Sequence, residues 1–283
     1  MKLDAGTFLV QLAAGGMLYC WVTTRRREVS LGYGWMLRVV YGVLALGGAA
    51  LLFDGEHTVA AVFASAAAAA TAIALWYSVG RRAAGVSGHE EMRARRRARV
   101  AAMVGRGEGD PEQLDDHGPE FPPVLDLAAA VLGLATTLAA AGFAGGPYAL
   151  AAARLLVGAA FLGAITDAML LGHWYLVQPG LRRDPLREVV LWTAVLWPAE
   201  VAVFVWPTGI LQVFTGAVDD GYDGLLGWVW LVCALTTIGL VAMTWFALKE
   251  RYYSAVMAAT GLLYLGILTA FGTDLIPRAV LTP

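Results

Sequence analysis

Three side chains in the interior of long apolar runs can gain and lose protons: Asp167, His173 and Glu200. Ionisable groups there are costly unless they have a partner or a task, so each is a candidate site residue. Asp167 lies ten residues before the end of its run at Val177, roughly 15 Å by helical rise. Glu200 lies twelve residues after Glu188, roughly 18 Å by the same rise. The spacing therefore predicts two carboxyl groups at one depth near the bilayer midplane. Desolvation favours the neutral form of such a group, which is what a proton relay needs. Trp197-Pro198 precedes Glu200, and a proline inside a helix frees a carbonyl one turn earlier. Arg38 is the expected cationic partner of Asp167, forming a structural ion pair. That assignment leaves Glu200 as the proton-exchanging group.

His173 belongs to the run Gly172-His173-Trp174-Tyr175, one turn from the end of its apolar segment. An imidazole beside Trp174 and Tyr175 at headgroup level could hydrogen-bond a quinone carbonyl and pass a proton to water. These three residues are the candidate cofactor site. The alternative is an interfacial aromatic belt.

Other chemistries are excluded. A bis-histidine haem needs two axial imidazoles inside the bundle, and His173 alone is deep enough, because His57, His89 and His117 fall in loops. No haem or metal is expected. Retinal needs a mid-span lysine, and neither Lys2 nor Lys249 is one. There is no phosphate-binding glycine motif and no CxxC; Cys20 and Cys233 read as small buried hydrophobes. A net charge of −2 gives no basic balance for nucleic acid.

What positions these groups is a set of apolar helices. Of 283 residues, 59% are hydrophobic and 15% charged, which excludes a soluble domain. Runs long enough to cross a bilayer are expected at about 6–23, 31–53, 58–79, 122–144, 149–177, 188–214, 225–247 and 253–275. The expected fold is all-α: a polytopic membrane protein, a bundle of eight transmembrane helices. Arginine and lysine fall on alternate loops: Arg25 to Arg27, Arg81 to Arg106, Arg182 to Arg187, then Lys249 and Arg251. The loops between carry none, and Arg278 is assigned to that other side. The positive-inside rule then places both termini on the non-cytoplasmic face of the cell inner (plasma) membrane.

The chain divides into helices 1–3 (1–79), a cytoplasmic basic and acidic loop (80–120) and helices 4–8 (121–283); four plus four is the alternative. Within the loop, residues 90–104 read as a basic helix, and Arg93 to Arg99 could rest on anionic lipid. GGMLYCW in the first span and DAMLLGHW in the fifth hint at a parallel repeat.

The layout of eight spans with both ends outside is similar, in topology alone, to the quinol-handling membrane anchors of molybdoenzyme reductases. That resemblance implies a membrane subunit of an electron-transfer system, handling quinone or protons without its own haem, beside redox or respiratory subunits. Two other readings stand next to it: a proton-coupled secondary transporter of a small solute, with Asp167 and Glu200 as coupling carboxylates, and a structural or assembly protein.

Overall fold

The computed structural model describes residues 4–86, 94, 119–178, 181–206, 209–250 and 252–281. Eight helices are long and apolar enough to cross a membrane. They are α1 (Ala5–Thr24), α2 (Leu31–Asp54), α3 (Thr58–Gly80), α4 (Val124–Ala141), α5 (Tyr148–Val177), α6 (Asp184–Val205), α7 (Leu225–Ala247) and α8 (Tyr253–Val280). No strand occurs among the described residues. The basic stretch 90–104, with Arg93 to Arg99, lies outside the described residues.

Local chemistry sets the helix ends. Asp4 caps α1, its carboxylate accepting from the Thr7 amide at 2.6 Å. Asp184 sits in the first turn of α6 with a proline beside it, a start signal that draws the helix four residues earlier than the apolar run suggests. Trp206, which precedes a proline, is extended at φ −125° and ψ 146°. So α6 stops at Val205, and the apolar run to residue 214 continues only as one helical turn, Leu211–Phe214. In contrast, α8 runs on through Pro277 to Val280. It carries Asp274 and Arg278 into the bundle, where both are buried; Arg278 is not a loop residue.

Several threonine hydroxyls inside the helices are satisfied locally. Thr71, Thr193, Thr244 and Thr260 each donate to the carbonyl four residues back. In an apolar surrounding this removes the cost of an unpaired hydroxyl.

Packing follows a four-plus-four grouping. Helix α1 packs on α2 and α4, and α3 packs on α2 and α4, closing one ring of four. Helix α5 packs on α6 and α8, and α7 packs on α6 and α8, closing a second ring with the same connectivity. The helices on either side of 80–120, α3 and α4, therefore belong to the same ring. The rings meet chiefly through their first helices, α1 and α5. These are also the most buried, at 67% and 72% against 28% for α7. They touch at Gly15 and Gly163, near the middle of each helix, where an added Cβ on either would run into the other's backbone.

The arginine-rich loops gather at one end of the bundle. There Glu188 on α6 takes both Arg25 and Arg26, tying the halves together. Arg182 bridges to Glu28 (3.5 Å) and Asp184 (2.7 Å), and the Asp184 bond holds the Arg182 guanidinium even more firmly protonated than usual. At the opposite end, Gly224 turns at φ +83° ahead of α7. The half-buried Asp220 accepts there from the amides of Tyr222, Gly224 and Leu226. Against a slight desolvation, these bonds hold its carboxyl below the usual aspartate range.

Candidate functional site

The first buried charge centre belongs to the first ring. Arg38 projects from α2 towards α3 and α4. Its Nε and Nη2 meet Asp126 Oδ1 and Oδ2 at 2.7 and 2.8 Å, a two-pronged ion pair. Nη1 donates to Ser78 Oγ at 3.2 Å. Phe121 covers the guanidinium face at 4.4 Å. Gly34, one turn earlier on α2, leaves room for the guanidinium, since a Cβ there would sit 2.9 Å from Nη1. Both members of the pair are 3% exposed.

A narrow cleft reaches this pair from the arginine-rich end, lined by Thr24, Arg27, Ser30, Arg38, Glu120 and Phe121 among others. A second, smaller cavity is lined by Met17, Cys20, Tyr41, Thr71, Asp126 and Ala129 together with Arg38. Arg38 thus borders both spaces.

Asp167 lies deeper, on α5, and is fully buried. The Tyr33 hydroxyl donates to its Oδ2 at 3.0 Å; Oδ1 has no hydrogen-bond partner. The expected Arg38–Asp167 pair does not form, and Asp167 has no ion pair among the described residues. The reason is rotational. Tyr33 and Arg38 are five residues apart on α2, about 140° around the helix, so Tyr33 turns to α5 while Arg38 turns to α4. Tyr19, Cys20 and Tyr41 lie within electrostatic range of Asp167. The Thr23 hydroxyl is beside it too, but gives its hydrogen to the Tyr19 carbonyl at 2.7 Å.

Glu200 does not share this site. It lies five residues from the end of α6, about 7.5 Å, and sixteen from its start, about 24 Å by helical rise. Measured from Asp184, where α6 begins, it stands about 9 Å further from the arginine-rich end than Asp167. Its carboxyl is within reach of Asp274 and Arg278 on α8. Arg278 Nη2 meets Asp274 Oδ1 at 2.5 Å, and the Gln11 amide of α1 approaches the same oxygen at 3.5 Å. Arg154 on α5 donates from Nε to the Val203 carbonyl at 2.8 Å and packs on the Phe204 ring. Sequence reasoning singled out Glu200 but not Asp274, Arg278 or Gln11 as its neighbours. The i, i+4 spacing of Asp274 and Arg278 and a lone amide in apolar α1 were the available signals.

The three consecutive residues of the candidate cofactor site diverge, as residues 100° apart must. His173 is exposed on the bundle surface, its Nδ1 3.3 Å from the Tyr264 hydroxyl of α8. Trp174 points to α2, donating to Ser30 at 3.2 Å and Gln178 at 3.1 Å. Tyr175 is buried and donates to the Arg182 carbonyl at 2.5 Å, closing the α5–α6 turn. Among the described residues no cluster of three or more His, Cys, Asp or Glu could hold a metal ion.

Comparison with protein-family models, with curated proteins and with solved structures finds no match to any of them.

Proposed function

We propose that this chain is a proton-handling integral membrane subunit, in which protons enter at the arginine-rich face and reach Asp167. The observation that carries this reading is Asp167 itself: a fully buried carboxyl with no ion pair among the described residues, bonded on one oxygen by Tyr33, within electrostatic range of Cys20 and Tyr41, which line a cavity that Arg38 also borders. Ionised and unpaired, such a group is costly, whereas a proton removes the cost. The roles expected from sequence are therefore exchanged: Asp167 is the exchanging group, and Arg38 serves Asp126. By the positive-inside bias, the cleft faces the cytoplasm and the membrane is the plasma membrane. This step serves a haem-free electron-transfer subunit and a proton-coupled carrier equally.

A second reading adds quinone. His173 and Tyr264 place an imidazole and a phenol side by side on the lipid-facing groove between α5 and α8, where a membrane-soluble carbonyl could meet them.

Proton flux into liposomes containing the purified chain, driven by an imposed potential and read with a trapped pH dye, tests the first reading. Flux above that of empty liposomes is expected, with at least a ten-fold loss in Asp167→Asn. No flux in the native chain, or undiminished flux in the variant, removes it. Quinone-analogue binding that survives His173→Ala removes the second.

A further inference from the structure

Two spaces in the first ring meet at one ion pair. On α1 the cleft is lined by Thr24 and the small cavity by Cys20 and Met17; on α2, by Gly34 against Tyr41; at α4, by Pro123 against Ala129. On all three helices the cavity residues are the ones further from the arginine-rich end. The cavity is therefore the deeper space, and Thr71 adds α3 to its wall. Every residue lining it is buried, whereas the cleft includes the part-exposed Arg27 and Glu120. Arg38 belongs to both linings. Asp126, Ser78 and the Phe121 ring hold its guanidinium, so it stands between cleft and cavity as a fixed partition.

A second pair of the same kind lies in the cleft itself. Arg27 Nη1 meets Glu120 Oε2 at 3.1 Å. Arg27 lies in the α1–α2 turn at φ +54°, a left-handed conformation uncommon for a residue with a Cβ. Glu120 lies just ahead of α4, so the bridge ties two separate chain segments across the cleft. The two pairs differ in strength. The Arg27 side chain is 42% exposed, and water competes for it, so this bridge parts readily. Arg38 and Asp126 are both 3% exposed, and parting them leaves two charges without solvent, which is far more costly.

We propose that Arg27–Glu120 and Arg38–Asp126 are an outer and an inner lock, in series, on one entry route that admits small polar species from the arginine-rich face to the buried cavity of the first ring. Its use by protons rests on the proton-handling reading; the route itself rests on the two spaces and the two pairs. The cavity wall sets what can enter. A carboxylate, a guanidinium, the Tyr41 and Thr71 hydroxyls and the Cys20 thiol suit a polar occupant of about the size of water, and neither an acyl chain nor a quinone ring. With two barriers in series, the higher one sets the rate. The inner lock therefore governs entry, and the outer one matters only once the inner is open.

Cys20, in the cavity wall, reports entry through its reaction with a small neutral thiol reagent, methyl methanethiosulfonate. Cys233→Ala in the full chain leaves Cys20 as the single thiol, and intact mass follows its modification in lipid nanodiscs. In this background Cys20 should react slowly. Arg38→Ala/Asp126→Ala should speed the reaction about ten-fold or more, because the charges that resist parting are gone. Removing the two together leaves the net charge beside the thiol unchanged. Arg38→Gln/Asp126→Asn, which keeps the bulk without the charge, should fall between. Arg27→Gln alone should stay within about two-fold of the background, as for an exposed pair, yet speed the reaction further when added to the Arg38→Ala/Asp126→Ala protein. Leu52→Ala removes buried bulk near the opposite end of α2 and reads general loosening. Unchanged rates in both double variants, or equal acceleration by Leu52→Ala, overturn the proposal. Acceleration by Arg27→Gln alone as large as that of the inner variants overturns the order of the locks. Access that depends on Arg38 in a chain without proton flux removes the proton-handling reading and keeps the route; flux with access unchanged by the inner variants removes the route alone.

Discussion

The two rings of four helices share one connectivity but treat buried charge in opposite ways. In the first, α2 and α4 bring together one arginine and one aspartate, matched prong for prong near the arginine-rich end, with an open cleft beside them. In the second, the corresponding helices α6 and α8 bring together two acids and an arginine near the other end, with several oxygens lacking donors. A complete ion pair is a structural solution, because it is costly to break and gains nothing from a proton. An incomplete one needs a hydrogen from elsewhere. The same scaffold therefore holds a complete ion pair in one half and a buried acidic cluster with unpartnered oxygens in the other.

The largest effect should come from breaking the lock. Arg38→Gln leaves Asp126 buried and unpaired, at a cost of about 3–5 kcal/mol, which thermal unfolding in detergent would read as a large fall in midpoint. The double variant Arg38→Gln/Asp126→Asn should recover much of that loss. If it does not, the two residues do not act as a pair.

Next comes the seam between the halves. Gly15→Ala drives a methyl into the Ala159 carbonyl, and overpacking of this kind costs about 1–3 kcal/mol. Gly239 has open space around it, so Gly239→Ala should cost nothing and could gain up to about 1 kcal/mol from helix propensity. Equal behaviour of the two variants would mean the seam is not close-packed.

Glu200→Gln sharpens the contrast further. An amide keeps the shape and breaks no ion pair, so the stability change should stay within about 1 kcal/mol. A loss as large as that of Arg38→Gln would make the second half an ion-pair lock like the first.

The smallest effect is at Asp220, in the turn before α7. Its carboxyl is held below the usual range by three backbone amides. Its contribution is therefore present above the unfolded aspartate value of about 3.9 and fades as pH falls through the lower folded value. The difference in midpoint between the native chain and Asp220→Asn should be visible at neutral pH and vanish in acid. A difference that grows in acid would contradict the direction of the shift.

The eight helices are legible in the sequence because apolar runs of bilayer length are punctuated by arginine, glycine and aspartate. Ends depending on a single residue are less so. The run through Trp206 stays apolar to residue 214, and the stop at Val205 comes from the residue preceding a proline rather than from polarity. Likewise, Asp274 and Arg278 look like the polar end of a span until their mutual ion pair allows α8 to carry them inside. The burial of Asp167 and Glu200 follows from their cost in lipid; their partners do not. Whether Arg38 meets Asp126 or Asp167 depends on how α2 is rotated about its own axis, and span positions contain no information about rotation.

The glycine contact between α1 and α5 has a mechanical consequence. Gly15 and Gly163 stand at the midpoints of the two most buried helices. Towards the arginine-rich end Glu188 holds Arg25 and Arg26, and towards the other end Gln11 reaches Asp274. The halves are thus pinned at three heights, by charge, by close backbone contact and by an amide. Tilting one ring against the other must break one of the two polar ties, so the seam is braced rather than hinged.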